Sequence, residues 1–98
     1  MSVEEKLAKV FKALSHPIRI KIVQNLLSGE KCVCELLQFV EFSQSNLSQH
    51  LKILKEAGIV EHRKVGANVH YRIKNEYVKA LLNIAETFIL ESQKIERV

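Results

Sequence analysis

Ser43-Gln44-Ser45-Asn46-Leu47-Ser48-Gln49-His50-Leu51-Lys52-Ile53-Leu54-Lys55-Glu56-Ala57-Gly58 is the stretch on which the reading of this chain turns. Advanced by about 100° per residue from Ser45, it puts Leu47, Leu51 and Leu54 on one side of a helix and Ser45, Ser48, Gln49, Lys52 and Glu56 on the other. Ser43 or Ser45 makes a good N-cap, and Gly58 ends the helix after Ala57. One face is built for a core. The other carries the side chains a major-groove helix needs: Gln can bond adenine bidentately, Ser serves base edges or phosphates, and Lys neutralises phosphate. A solvated surface helix with serine caps has the same inventory, so the flanking segments decide between the two.

Downstream the apolar period changes from 3.6 to 2. Ile59 to Lys64 and Val69 to Ile73 alternate and are rich in β-branched residues, and they surround Val65-Gly66-Ala67-Asn68. This is a hairpin with a turn expected to project. It follows the candidate reading helix directly and carries Arg63, Lys64 and Asn68 near its tip, the arrangement of a winged helix-turn-helix. His62 and His70 flank the turn and read as solvated hairpin residues.

Upstream, Cys32 to Val40 is a short amphipathic helix with Val33, Leu36, Leu37 and Val40 on one face. Before it, Pro17 opens a helix of Ile18, Ile20, Ile22, Val23, Leu26 and Leu27 that should be buried on most sides and is stopped by Gly29. Ser2 and Glu5 form the capping pattern of a first helix ending near Ser15, and Asn75 caps a last one. His16 reads as punctuation before Pro17, and His50 as a packed or capping residue between the two arcs of the reading helix.

The expected fold is mainly α with a β-hairpin wing, a winged helix-turn-helix in the order α-α-α-α-β-β-α. It forms one domain over residues 1–98, with flanking helices at about 2–14 and 75–96. The last helix carries a wide apolar stripe. Val78, Leu82, Ala85 and Ile89, joined by Leu7 and Val10 of the first helix, are the expected seam of a homodimer.

Net charge over the 98 residues is +4, and its distribution matters more than its size. Residues 43–74 hold six basic and two acidic side chains, while the rest of the chain holds nine of each. All the excess positive charge therefore lies in the segment containing the helix and hairpin, as expected for a surface facing a polyanion. Gln44, Ser45, Ser48 and Gln49 are the expected base readers, with Asn46, Lys52, Lys55, Arg63, Lys64, Asn68 and Arg72 completing the contact to double-stranded DNA. A wing positions the protein without having to specify sequence.

Other classes fit poorly. No apolar run is long enough to span a bilayer, and Glu4 and Glu5 stand where a secretory signal needs positive charge, so the expected location is the cytoplasm. The HExxH, P-loop, GxSxG and CxxC patterns are absent, and neither cysteine has a candidate base, so an enzyme is not expected. A winged helix that binds a protein partner instead of DNA is the alternative from another class; salt-dependent duplex binding separates the two.

Cys32 and Cys34, separated by one residue, read as thiols for a ligand or a redox partner, and a DNA-binding repressor whose cysteine pair senses redox or reactive sulfur is the alternative within the same class. Thiolates select soft metal ions and trivalent arsenic, and the positive end of a helix with Lys31 adjacent favours their deprotonation. Two residues apart on a regular helix their sulfurs point about 160° apart, so gripping one ion requires the first turn to fray. Ordinary small core residues are the plainer reading of the pair.

The chain resembles the ArsR/SmtB family of metal-responsive repressors from about Leu14 through Ile73. Ala13-Leu14-Ser15-His16-Pro17-Ile18-Arg19 is similar to the family's second-helix opening. Ser43 to Leu51 resembles its recognition helix, and Val69-His70-Tyr71-Arg72-Ile73 its second wing strand. The resemblance implies a homodimer built on the first and last helices. Such a dimer represses from an inverted-repeat operator and leaves when an inducer binds.

Lys31-Cys32-Val33-Cys34-Glu35-Leu36 is similar to the thiol box of the arsenic and cadmium/lead branches. The resemblance thus implies Cys32 and Cys34 as inducer ligands, for As(III), Sb(III) or another thiophilic ion, with no cofactor required for DNA binding. The arsenic branch adds a third cysteine where Leu37 stands here, and the cadmium/lead branch adds an N-terminal one that is missing. The last-helix Asp and His of the zinc branch are absent from residues 75–98.

Overall fold

A computed structural model describes residues 1–39 and 44–96, apart from the side chains at 44, 45, 95 and 96. The elements are α1 (Val3–Ala13), α2 (Pro17–Leu26), β1 (Lys31–Cys32), α3 (Val33–Phe39), α4 (Gln44–Glu56), β2 (Val60–Val65), β3 (Asn68–Ile73) and α5 (Tyr77–Glu96). They form a helical body carrying a small antiparallel sheet, as a winged helix requires. The expected order needs one addition, the two-residue strand β1. Its pairing with β3 widens the hairpin into a three-stranded sheet of order β1-β3-β2.

Local chemistry sets the element ends. Ser2 Oγ accepts the Glu5 N–H at 3.1 Å while the Glu5 carboxylate accepts the Ser2 N–H at 3.3 Å, closing a capping box on α1. His16 does more than precede Pro17: its Nδ1 accepts the Ile18 N–H at 3.1 Å as the N-cap of α2. At the hairpin, Val65 pairs with Asn68, so the turn is the two residues Gly66 and Ala67 and is tighter than expected. Gly66 has φ +63°, which suits glycine at the first turn position and lets the strands keep their twist.

The core joins Ala13 of α1, Ile22, Val23 and Leu26 of α2, Leu36 of α3 and Leu47, Leu51 and Leu54 of α4 to Ile59, Val60, Val78 and Leu82. Leu47 and Leu54 are fully buried and Leu51 is 1% exposed, so the apolar arc of the reading helix lies against the body as its periodicity requires.

Two expectations change. Val78 and Leu82, assigned to a dimer seam, are each only 8% exposed and belong to this protomer's own core. The helix turns that arc onto the body and leaves Ile84, Phe88, Ile89 and Leu90 exposed, as Leu7 and Phe11 are on α1. Of the expected seam, Leu7, Ala85 and Ile89 are exposed and Val10 is half-buried against the core. Second, α3 starts at Val33 and not at Cys32, because Cys32 is the last residue of β1. The expected contribution of Val40 and the Ser43 cap lie outside the described residues.

Candidate nucleic-acid interface and sulfur site

Burial of Leu47, Leu51 and Leu54 turns the opposite arc of α4 to solvent, where Asn46, Ser48, Gln49, Lys52 and Lys55 are exposed. Gln44 and Ser45 fall in the first turn of the same helix, but their side chains lie outside the described residues. His50 sits at the seam between the arcs. Its Nδ1 lies 3.3 Å from Arg19 Nη1, and its ring stands 4.8 Å from that of His16. Desolvation lowers its pKa below the ordinary value, and the nearby His16 and Arg19 push it the same way. Arg19 in turn donates to the Ala13 carbonyl at 2.7 Å, so this group joins the end of α1, the start of α2 and the middle of α4. The helix that would read DNA is thereby held by polar contacts as well as by its leucines.

Lys64 and Asn68 are exposed on the wing, as expected. The wing arginines are less free than the sequence implies. Arg63 makes a bidentate pair with Glu30, Nε to Oε1 at 3.0 Å and Nη2 to Oε2 at 2.9 Å. His70 Nδ1 lies 3.4 Å from the same Oε2. The Arg63 hydrogen bond holds the Glu30 carboxyl below its ordinary pKa, and Glu30 raises that of Arg63. Arg72 Nε donates to Glu61 Oε1 at 2.7 Å. Among the described residues, Lys52, Lys55 and Lys64 make no ion pair.

His70 is therefore not simply a solvated hairpin residue. It has a carboxylate beside it from the turn before β1, and it is the register partner of Cys32 on one side and of Arg63 on the other. His62 lies with its ring 5.5 Å from that of Tyr71, whose phenol is raised in pKa by desolvation. Sequence spacing hid Glu30 and Cys32 from His70, because the contact needs β1.

Placing Cys32 on β1 and Cys34 in the first turn of α3 resolves the awkward angle expected for two cysteines on one helix. The Cα atoms are 5.2 Å apart and the two sulfurs are bonded to each other. The pair was expected as thiols; in this structure it is a disulfide, and free sulfurs for a ligand require its reduction. Cys32 also caps α3. Its N–H donates to Glu35 Oε1 at 3.0 Å, and its Sγ accepts the Glu35 N–H at 3.2 Å, a capping box with sulfur where serine usually stands. The Cys-x-x-Glu spacing is the signal that shows this in the sequence.

Cys32 is buried, whereas Cys34 is exposed and borders a cleft of about 370 Å³ lined by Leu37, Ser48, Leu51, Asn68 and Tyr71. The cleft separates the reading helix from the wing. Among the described residues, no group of three or more His, Cys, Asp or Glu side chains is arranged to hold a metal ion.

Residues 16–62 match the family described as bacterial regulatory protein, arsR family. The chain is 47% identical over 79 residues to the cadmium resistance transcriptional regulatory protein CadC homolog of Staphylococcus aureus, across 80% of this chain and 65% of that protein. It is 39% identical over 86 residues to the arsenical resistance operon repressor of Staphylococcus xylosus, across 85% of this chain and 83% of that one. Among solved structures it resembles the homodimeric winged helix-turn-helix DNA-binding domain Mb0332 of Mycobacterium bovis, with a TM-score of 0.83, 28% identity and coverage of 98% and 87% of the two chains. These relatives are regulators and not enzymes, and no helix among the described residues is long and apolar enough to cross a membrane. Fold, exposed helix face and kinship agree: the chain belongs to the ArsR/SmtB family of winged-helix transcriptional repressors.

Proposed function

We propose that two copies of this chain, each acting as one winged-helix unit, repress from an inverted-repeat operator and leave it when a thiophilic metal or metalloid, As(III) or Sb(III) first, binds reduced Cys32 and Cys34. One observation carries the reading: the strand-to-helix junction brings the two sulfurs together at the capped start of α3, and α3 leads into the reading helix. Kinship to cadmium- and arsenical-resistance regulators supports it. Gln44, Ser45, Ser48 and Gln49 read bases, and Asn46, Lys52, Lys55, Lys64, Asn68, Arg63 and Arg72 meet the backbone, the arginines by exchanging carboxylate for phosphate.

Arsenite condenses with both thiols, As(OH)₃ and two R–SH giving (RS)₂As–OH and two waters. A third sulfur can then come from a small external thiol, which displaces the remaining hydroxide as water; the cleft beside Cys34 has room for its body. Ligation would engage the same Cys32 Sγ that accepts the Glu35 N–H at the start of α3, which gives inducer and DNA a shared element through which to couple.

The bonded sulfurs favour a second reading, in which oxidation of the pair is itself the signal. The test is to titrate reduced protein on its operator with arsenite, antimonite, cadmium, zinc and peroxide while following release. Under the proposal the trivalent metalloids release it and peroxide does not. The variant carrying Cys32→Ser and Cys34→Ser should keep operator affinity within about tenfold, roughly 1.4 kcal/mol, and lose induction. Normal release of that variant by the metalloids would place the inducer elsewhere, and release by peroxide alone would establish the redox reading.

A further inference from the structure

Glu30 takes hold of the wing arginine in the way a DNA phosphate would. A guanidinium binds carboxylate and phosphate through the same planar fork of two parallel N–H···O bonds, and Glu30 occupies the Nε–Nη2 edge of Arg63 at 3.0 and 2.9 Å. The Arg63 side chain is 64% exposed and that of Glu30 23%, so the arginine is the partner free to swing away. Exposed pairs of this kind are weak, and phosphate contact is strengthened by counterion release, so the duplex can win the exchange. His70 Nδ1 lies 3.4 Å from the Oε2 that Arg63 would vacate. Glu30 also stands two residues before Cys32, in the segment that feeds β1.

We infer that Glu30 is an internal competitor for DNA phosphate at Arg63, a positioning residue that lowers operator affinity by occupying the wing arginine until the duplex displaces it. This rests on the DNA-binding reading of Arg63. It separates two effects a carboxylate near DNA can have: long-range repulsion of the polyanion, which does not depend on Arg63, and occupation of the arginine, which does.

The experiment is a double-mutant cycle on the full chain with a random-sequence 30-base-pair duplex, because a backbone contact is independent of sequence. Affinities are measured by fluorescence anisotropy across a salt series for wild type, Glu30→Gln, Arg63→Ala and the double variant, with Glu30→Ala checking that the new amide does not itself hold the arginine. Circular dichroism confirms the fold of each. Expected is a tightening of about three- to thirtyfold in Glu30→Gln for a dimer with two such sites. The log–log salt slope should stay close to that of wild type, because the duplex displaces Glu30 and Arg63 meets phosphate in both complexes. Arg63→Ala should abolish the tightening produced by removing the carboxylate. Equal tightening with and without Arg63 would reduce Glu30 to simple repulsion, and weaker binding in Glu30→Gln would mean that it holds Arg63 ready for DNA; either overturns the inference. Failure of wild type to bind the duplex in a salt-dependent way would sink the DNA-binding reading as well, so the two failures are distinguishable.

Discussion

Replacing Phe88 by Asp should separate the dimer without unfolding its protomers. Phe88 is 72% exposed on the protomer, beside Ile84 at 69%, and none of the core residues relies on it. An aromatic side chain buries roughly 200 Å², so about 140 Å² of the ring remains for a partner to cover. At about 25 cal/mol/Å² this contributes about 3.5 kcal/mol, and a two-fold axis uses the same side chain twice, giving a ceiling of about 7 kcal/mol. Association realises only part of such area, and half of the ceiling corresponds to roughly two to three powers of ten in the dimer dissociation constant. Sedimentation velocity at micromolar concentration reads this directly, with far-UV circular dichroism to show that the helices persist. The contrasting variant is Leu82→Asp, which puts a carboxylate at a core position 8% exposed and should unfold the protomer instead. An unmodified protein that sediments as a monomer, or a Phe88→Asp variant that remains a dimer, would refute a dimer built on the exposed face of α5.

Gln49→Ala should relax base preference in a binding-site selection, whereas Lys52→Ala should weaken binding to all sequences and flatten the salt slope by roughly 0.9 per protomer; identical selection profiles for Gln49→Ala and wild type would move the reading face elsewhere. Because the folded-state pKa of His50 is depressed from 6.5, its stabilising contribution is complete above that value and is lost as pH falls through 6.5 toward the lowered one. Urea midpoints at pH 7.5 and 5.5 should therefore differ more for wild type than for His50→Gln. The Glu30 carboxyl, depressed from 4.5, loses its contribution only as pH falls below 4.5, so its window opens at lower pH than that of His50.

Much of this fold was legible because its periodicities are strong. Leu47, Leu51 and Leu54 had to face inward whatever the tertiary arrangement, and their burial leaves Ser48, Gln49 and Lys52 on the outer arc. β1 was not legible: two residues carry no period, and its existence depends on an edge of β3 that appears only once the hairpin has formed. Everything β1 organises was hidden with it, including the pairing of Cys32 with His70 and the approach of Glu30 to Arg63. Two of the four seam positions on α5, Val78 and Leu82, were misplaced for a different reason. Near-heptad spacing identifies residues that share a face but does not say whether that face meets its own domain or a second copy, and Val78 and Leu82 meet their own domain.

Cys32 is at once a rung of the sheet, the cap of α3 and half of the sulfur pair. Under the function proposed above, the atom that meets the signal is also an atom that holds the helix end together, so detection needs no separate relay. Such an arrangement cannot tune its two properties independently. A substitution beside the junction that makes the cap firmer also raises the energy needed to disturb it, and one that loosens the cap makes the regulator respond with less inducer at the expense of the helix it must keep in place.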